Sequence, residues 1–208
     1  MSQFSFLKSE WPAVYDAAGK AESAVYSDPR TTCFYARRSL ELAIAWLFKH
    51  DASLKLPYQD NLSTLIHEPT FKIAAGETIF CKTRVVAKLG NDAVHSIRQI
   101  NQYDALMAVK ELFHIGYWLA HTYSRGDKPA PGLVLNQELL PKVAPVHRQT
   151  AEQLQKLETG LREKEEKLSE VMADKTKLDE EVKRLRIEVV EAKKSSSTQP
   201  DTHDYSES

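Results

Sequence analysis

Apolar residues recur along the first two thirds of the chain with a period near 3.6, which predicts helices. Val14, Ala18, Ala21 and Val25 follow at spacings of four, three and four. Ser9-Glu10-Trp11-Pro12 has the small polar residue and early Pro of a helix start, and Ser27-Asp28-Pro29 ends the run. A second helix is predicted from about Arg30 to His50. Cys33, Ala36, Leu40, Ala43 and Leu47 form its stripe, and Ile44, Trp46 and Phe48 make its second half apolar nearly all round. Such a helix belongs at the centre of a core. Arg37, Arg38 and Glu41 mark its polar side, and Lys49 and His50 complement its C-terminal dipole. Asp51 to Asp60 reads as a loop, Asn61 to Ile66 as a short helix, and Pro69 as punctuation.

Glu77 to His95 reads as a further helix, with Ile79, Val86, Leu89 and Ala93 on one face. Gly90 inside it costs about 1 kcal/mol relative to Ala, so it points to close packing or a helix end. The last globular helix starts near Asn101–Asp104 and carries the stripe Ala105, Val109, Leu112, Gly116, Leu119 and Tyr123. Arg125-Gly126 reads as its stop signal. No stretch sustains a period of two, so the expected fold class is all-α, with no sheet.

Past residue 147 the pattern changes to heptads. With Leu154 at position a, the a positions are Leu154, Leu161, Leu168, Lys175, Val182 and Val189. The d positions are Leu157, Lys164, Val171, Leu178, Leu185 and Ala192, so ten of the twelve are apolar. This predicts a coiled coil, roughly 70 Å long at 1.5 Å per residue. Val at a with Leu at d near its end favours a parallel pair. Glu181 with Arg186 and Glu188 with Lys193 are attractive pairs across such a seam, whereas Asp174 with Asp179 repel. Lys164 and Lys175 weaken the seam and could fix its register. The partner is a second copy or another subunit. The competing reading is a solvated single helix.

Composition sharpens the division. Seventeen of the 18 aromatics lie at or before Tyr123, and Pro is absent from Val146 to Gln199. The expected organisation is a helical domain at 1–126, a Pro-containing linker at 127–147, a coiled coil at 148–194 and a disordered polar tail at 195–208. The formal net charge of -1 excludes a globally basic nucleic-acid binder. It divides into +2 over residues 1–147, a rod of twelve basic and twelve acidic residues, and -3 in the tail. Two cysteines exclude a disulfide scaffold and a multi-Cys zinc site. No run approaches the ~18 apolar residues of a membrane span, and the N-terminus lacks a secretory leader's pattern. A cytoplasmic protein without membrane contact is expected.

Chemical motifs are sparse. Phosphate-cradling, nucleophile-elbow and zinc-protease patterns are absent from the sequence. Glu-x-Lys triplets fall inside the heptads and read as solvated faces. His114 and His121 share one helix face without a further ligand at suitable spacing. Cys33 reads as a small core residue. No catalytic, cofactor or metal residue is assigned. The remaining motif is Lys88-Leu89-Gly90-Asn91-Asp92-Ala93-Val94-His95. Asn can orient an imidazole or hold a phosphate, and His can do acid–base work near neutral pH. The plainer reading has Asn91 and His95 bonding to nearby backbone and locking the helix in place.

The run KLGNDAVH, followed by IGYWLAHTYSR, resembles the helical N-terminal domain of type I restriction enzyme R subunits. SDPR, FYARRSLELAIAWLF and the heptad rod extend the resemblance over nearly the whole chain, and DTHDYSES is similar to the lead-in to those subunits' nuclease domain. The domain is also similar to the wider HEPN group of helical domains. Ribonuclease members carry R-x-x-x-x-H, usually with Asn after the Arg. Asn91 and His95 match that motif, while Gly90 stands at the Arg position, and Arg37 or Arg38 could approach from the preceding helix. The resemblance implies an interaction and assembly module that docks partners or spaces a downstream nuclease–motor. It implies modification and specificity subunits as partners, with ATP and Mg used only in the full-length subunit. No cofactor is expected in this chain. Two alternatives stand beside it: a HEPN-type ribonuclease or RNA binder using His95, and an auxiliary DNA-contacting domain.

Overall fold

The computed structural model describes residues 2–142 and 150–196, with side chains through residue 188. Among the described residues there are six α-helices and no strand. They are α1 (Pro12–Ala24), α2 (Pro29–His50), α3 (Leu62–His67), α4 (Pro69–His95), α5 (Gln102–Tyr123) and α6 (Ala151–Ser196). The chain divides into two compact units, Met1–Leu157 and Glu158–Ser208.

In the first unit α2 is the central helix, packed against α1, α4 and α5. Its predicted stripe is the core: Cys33, Ala36, Leu40, Ala43 and Leu47 are buried, together with Ile44. The α1 stripe of Val14, Ala18, Ala21 and Val25 is buried too. Its alanines bring α2 close enough for two side chains to reach across. The Ser39 hydroxyl donates to the Val14 carbonyl at 2.9 Å and the Thr32 hydroxyl to the Ala21 carbonyl at 3.3 Å. Buried hydroxyls are thus satisfied without water.

Local chemistry sets the helix starts. Pro12, Pro29 and Pro69 sit in first turns, where a missing N–H costs nothing. Asp28 accepts from the Thr31 N–H, Asn61 from the Thr64 N–H, and Glu68 from the Thr70 and Phe71 N–H groups. Asn101 and Asp104 form a reciprocal capping box at α5.

Three features differ from the sequence expectation. Pro69, expected as punctuation, opens the first arm of α4. Gly76, at φ 70 and ψ 165, kinks α4 and joins that arm to the predicted helix from Glu77. That backbone conformation suits Gly because it has no Cβ. The buried face of α4 is also rotated from the predicted one. Phe80, Thr83, Val86, Ala87, Gly90, Ala93 and Val94 are buried, whereas Ile79 and Leu89 are half-buried flanks. Hydropathy undervalued Thr83, whose hydroxyl is spent on the Phe80 carbonyl at 2.7 Å. It also undervalued Gly90, whose contribution is space.

The third difference is the end of α5. Gly126 does not adopt positive φ; among the glycines only Gly76 and Gly132 do. The helix stops at Tyr123, and Glu10 gathers the outgoing chain. Glu10 accepts from the Arg125 N–H at 3.0 Å, the Gly126 N–H at 3.2 Å and the Ser124 hydroxyl.

The described part of the expected linker, 127–142, is tied to the helices. Gln3 and Asn136 exchange two hydrogen bonds, from Gln3 Nε2 to the Asn136 carbonyl and from the Asn136 N–H to Gln3 Oε1. Pro129 and Leu140 are buried. Thr150 and Gln153 form a second reciprocal capping box at the start of α6, with bonds of 2.9 and 3.3 Å. Residues 195 and 196 of the expected tail at 195–208 are the end of α6, while the linker's last residues and residues 197–208 lie outside the described residues.

Candidate functional site

Gly90 explains the centre of the KLGNDAVH motif. A Cβ placed on it would lie 2.2 Å from Arg37 Cβ and 2.7 Å from Arg37 Cδ. The Arg37 stem therefore crosses α4 directly over Gly90. The Arg37 guanidinium pairs with Glu41 Oε1 at 2.9 Å, and Arg38 reaches Glu41 Oε2 at 3.5 Å.

Arg37 forms one wall of a hollow of about 680 Å³ between α2, α3 and α4. Asn61, Ser63 and His67 come from α3 and its cap, and Arg84, Lys88 and Asn91 from α4. Ile66 and Val85 give it an apolar floor, and Asp92 is the one acid among the lining residues. Asn91 thus faces this hollow. His95 lines a different one, of about 430 Å³, with Arg30, Thr150 and Glu152. Both residues are exposed, and no hydrogen bond joins them among the described residues.

Arg30, from the SDPR run, has a structural task. Nη1 donates to the Ala93 and Ser96 carbonyls at 2.5 and 3.1 Å, and Nη2 to the Arg98 carbonyl at 2.6 Å. These carbonyls lie at and just past the end of α4, where the helix leaves acceptors without partners. A planar fork with several donors suits that task.

Cys33 and Glu111 also have structural explanations. Burial pushes the Cys33 thiol up to about 12, so it stays protonated and inert. Lys82 pairs with Glu111 between α4 and α5, and His114 Nδ1 lies 3.3 Å from the same carboxylate. Burial opposes ionisation of Glu111, but hydrogen bonds from Lys82 and His114 outweigh it and hold the carboxyl below its usual range. Among the described residues, no group of three or more His, Cys, Asp or Glu could hold a metal ion.

The other candidate site is the α6 seam. Leu154 is fully buried inside the first unit, and Leu157 and Leu161 are half-buried. From Leu168 onward the seam is open: Leu168 is 60%, Val171 65%, Leu178 65%, Val182 42% and Leu185 48% exposed. Val189 lies past the last described side chain. Arg162 with Glu166 and Lys177 with Asp174 make ion pairs along the helix's own surface, which leaves the apolar stripe clear.

Sequence reasoning found Gly90, Asn91 and His95 but not the α3 side of the hollow. The usable signal was Arg84 and Lys88, two like charges one turn apart. No helix among the described residues is long and apolar enough to cross a membrane. In comparisons with known proteins, no family model matches the chain, and no curated protein or solved structure is significantly similar to it.

Proposed function

We propose that this chain is a non-catalytic assembly module that pairs with a second copy of itself through α6. One observation carries the reading: an apolar heptad stripe from Leu168 to Leu185 stands open to water on a helix of 46 residues. Exposed Leu or Val is ordinary when scattered, but with five of the six a and d positions from Leu168 to Leu185 apolar, Lys175 being the exception, the spacing is that of a coiled-coil seam. A second copy fits because each apolar a and d residue then meets its own equivalent, with Lys175 and the Asp174–Asp179 pair as the unfavourable positions. Val182 at a and Leu178 and Leu185 at d favour two parallel strands. In that register Glu181 of one copy meets Arg186 of the other.

By resemblance, the module belongs at the front of the R subunit of a type I restriction enzyme, where modification and specificity subunits are its further partners. The helical domain then serves phage defence as a docking platform in the cytoplasm. ATP, Mg and DNA cleavage belong to other parts of such a subunit. Co-purification with the modification and specificity subunits tests this level of the reading, and its failure at micromolar concentrations would remove it.

Self-association is tested by light scattering on the full chain. The expected mass is twice 23.6 kDa. Leu178→Lys with Leu185→Lys is expected to return it to the single-chain value. A wild-type chain that stays at the single-chain mass at 100 µM contradicts the proposal.

A further inference from the structure

The hollow between α2, α3 and α4 has no part in the assembly reading, yet its chemistry is specific. Arg84 and Lys88 stand on its α4 edge one helical turn apart, both exposed. Neither makes an ion pair among the described residues; Arg84 rests its guanidinium 5.7 Å from the centre of the Phe80 ring. Like charges at this spacing repel, so the pair weakens the helix unless an anion stands between them. Arg37 adds a third cation from the opposite wall, already engaged by Glu41. The lone lining acid, Asp92, leaves the hollow with a formal excess of positive charge.

The rest of the lining limits the ligand further. Ile66 and Val85 form an apolar floor, with Val85 36% exposed. Asn61, Ser63 and Asn91 place neutral donors around it. A volume near 680 Å³ lies within the range of small-molecule sites, about 300 to 1,000 Å³. Eight of the thirteen lining residues are polar or charged, a composition that favours a charged ligand over a purely apolar one.

We propose that this hollow binds a phosphomonoester carried on an apolar or aromatic group. A monoester holds close to two negative charges at neutral pH and has three strong acceptor oxygens, which match two unpaired cations one turn apart. A carboxylate would neutralise only one of them. The apolar floor takes the group that carries the phosphate, so the organic ester binds more tightly than phosphate alone. The site is independent of α6.

Calorimetric titration of the full chain with phenyl phosphate and with inorganic phosphate tests this. Phenyl phosphate is expected to bind saturably and at least tenfold more tightly than inorganic phosphate. Arg84→Ala with Lys88→Ala is expected to weaken it at least tenfold while the melting temperature stays within a degree or two. Val85→Asp is expected to weaken phenyl phosphate more than inorganic phosphate. A single-stranded dodecanucleotide with hydroxyl ends, which offers only phosphodiesters, serves as the other probe. The proposal is overturned if phenyl phosphate does not bind, if the double variant binds it equally well, or if the dodecanucleotide alone binds.

Discussion

α2 and α6 carry apolar residues at nearly the same spacing and put them to opposite uses. In α2 the stripe is closed: Leu40 and Ile44 are fully buried because α1, α4 and α5 surround the helix. In α6 the stripe is closed only at its first member, Leu154, and stands open from Leu168 onward. Periodicity reports that a face must be covered but does not name the cover. For α2, three helices of the same chain supply it. For the far part of α6 nothing among the described residues does, and this open face is what the proposed self-association rests on.

The largest test of this contrast substitutes one leucine from each helix. Leu40→Ala is expected to cost about 3 to 4 kcal/mol of stability, in the range for a buried leucine that leaves a cavity. Leu178→Ala is expected to leave the unfolding of the first unit unchanged while weakening self-association. Tryptophan fluorescence during thermal melting separates the two, because Trp11, Trp46 and Trp118 all lie in the helical bundle. Equal losses from both substitutions would end the comparison.

A smaller effect is expected where α2 crosses α4. Gly90→Ala sets a Cβ against the root of the Arg37 side chain, which cannot swing away, so overpacking costs about 2 kcal/mol despite Ala's better helix propensity. Arg37→Gly in the same chain removes the colliding atom. The double variant is therefore expected to be more stable than the sum of the single losses predicts, measured by chemical denaturation. Strict additivity would mean that the two residues do not meet.

Next comes Arg30→Ala, which leaves the carbonyls of Ala93, Ser96 and Arg98 without their guanidinium donor. A loss of about 1.5 to 3 kcal/mol is expected for bonds to a charged group, with Arg30→Lys recovering only part of it. Amide exchange should quicken around residues 93–98 before it quickens in α2. Uniform quickening would contradict a capping role.

The smallest effect is a pH effect on the bundle. Hydrogen bonds from the Ser124 hydroxyl and the Arg125 N–H hold the Glu10 carboxyl below its ordinary value. A carboxyl depressed in the folded state contributes stability above its unfolded value near 4.3, and that contribution is lost as pH falls through the lower folded value. Glu10→Gln is expected to lower the melting temperature slightly at pH 7 and to reduce its fall below pH 4. An unchanged acid limb would show that Glu10 contributes nothing there.

Much of the fold was readable in the sequence because helical stripes and caps are local signals. The α2 stripe, the Asn101 start of α5 and the Asn61 start of α3 all appear where spacing and capping chemistry place them. Misplaced features depended on partners distant in the chain. Gly126 was read as a stop by its type, but the end of α5 is set by Glu10, more than a hundred residues earlier. The buried face of α4 was misjudged because Gly90 contributes room for Arg37, a quantity that hydropathy does not measure. The hollow was legible only as two like charges on α4. Its α3 side depends on the tertiary packing of α3 beside α4, which local spacing does not report.

The central claim is that α6 seats a second copy in parallel and in register, and cysteine crosslinking tests it most directly. In a Cys81→Ser background the remaining thiol, Cys33, is buried and held protonated, so it stays silent. Leu178→Cys places a thiol at a d position, where each copy meets its own equivalent, and Lys177→Cys places one on the outer face. Under mild oxidation the account predicts a disulfide-linked dimer from Leu178→Cys and little or none from Lys177→Cys. No crosslinking at position 178, or equal crosslinking at both positions, would contradict it.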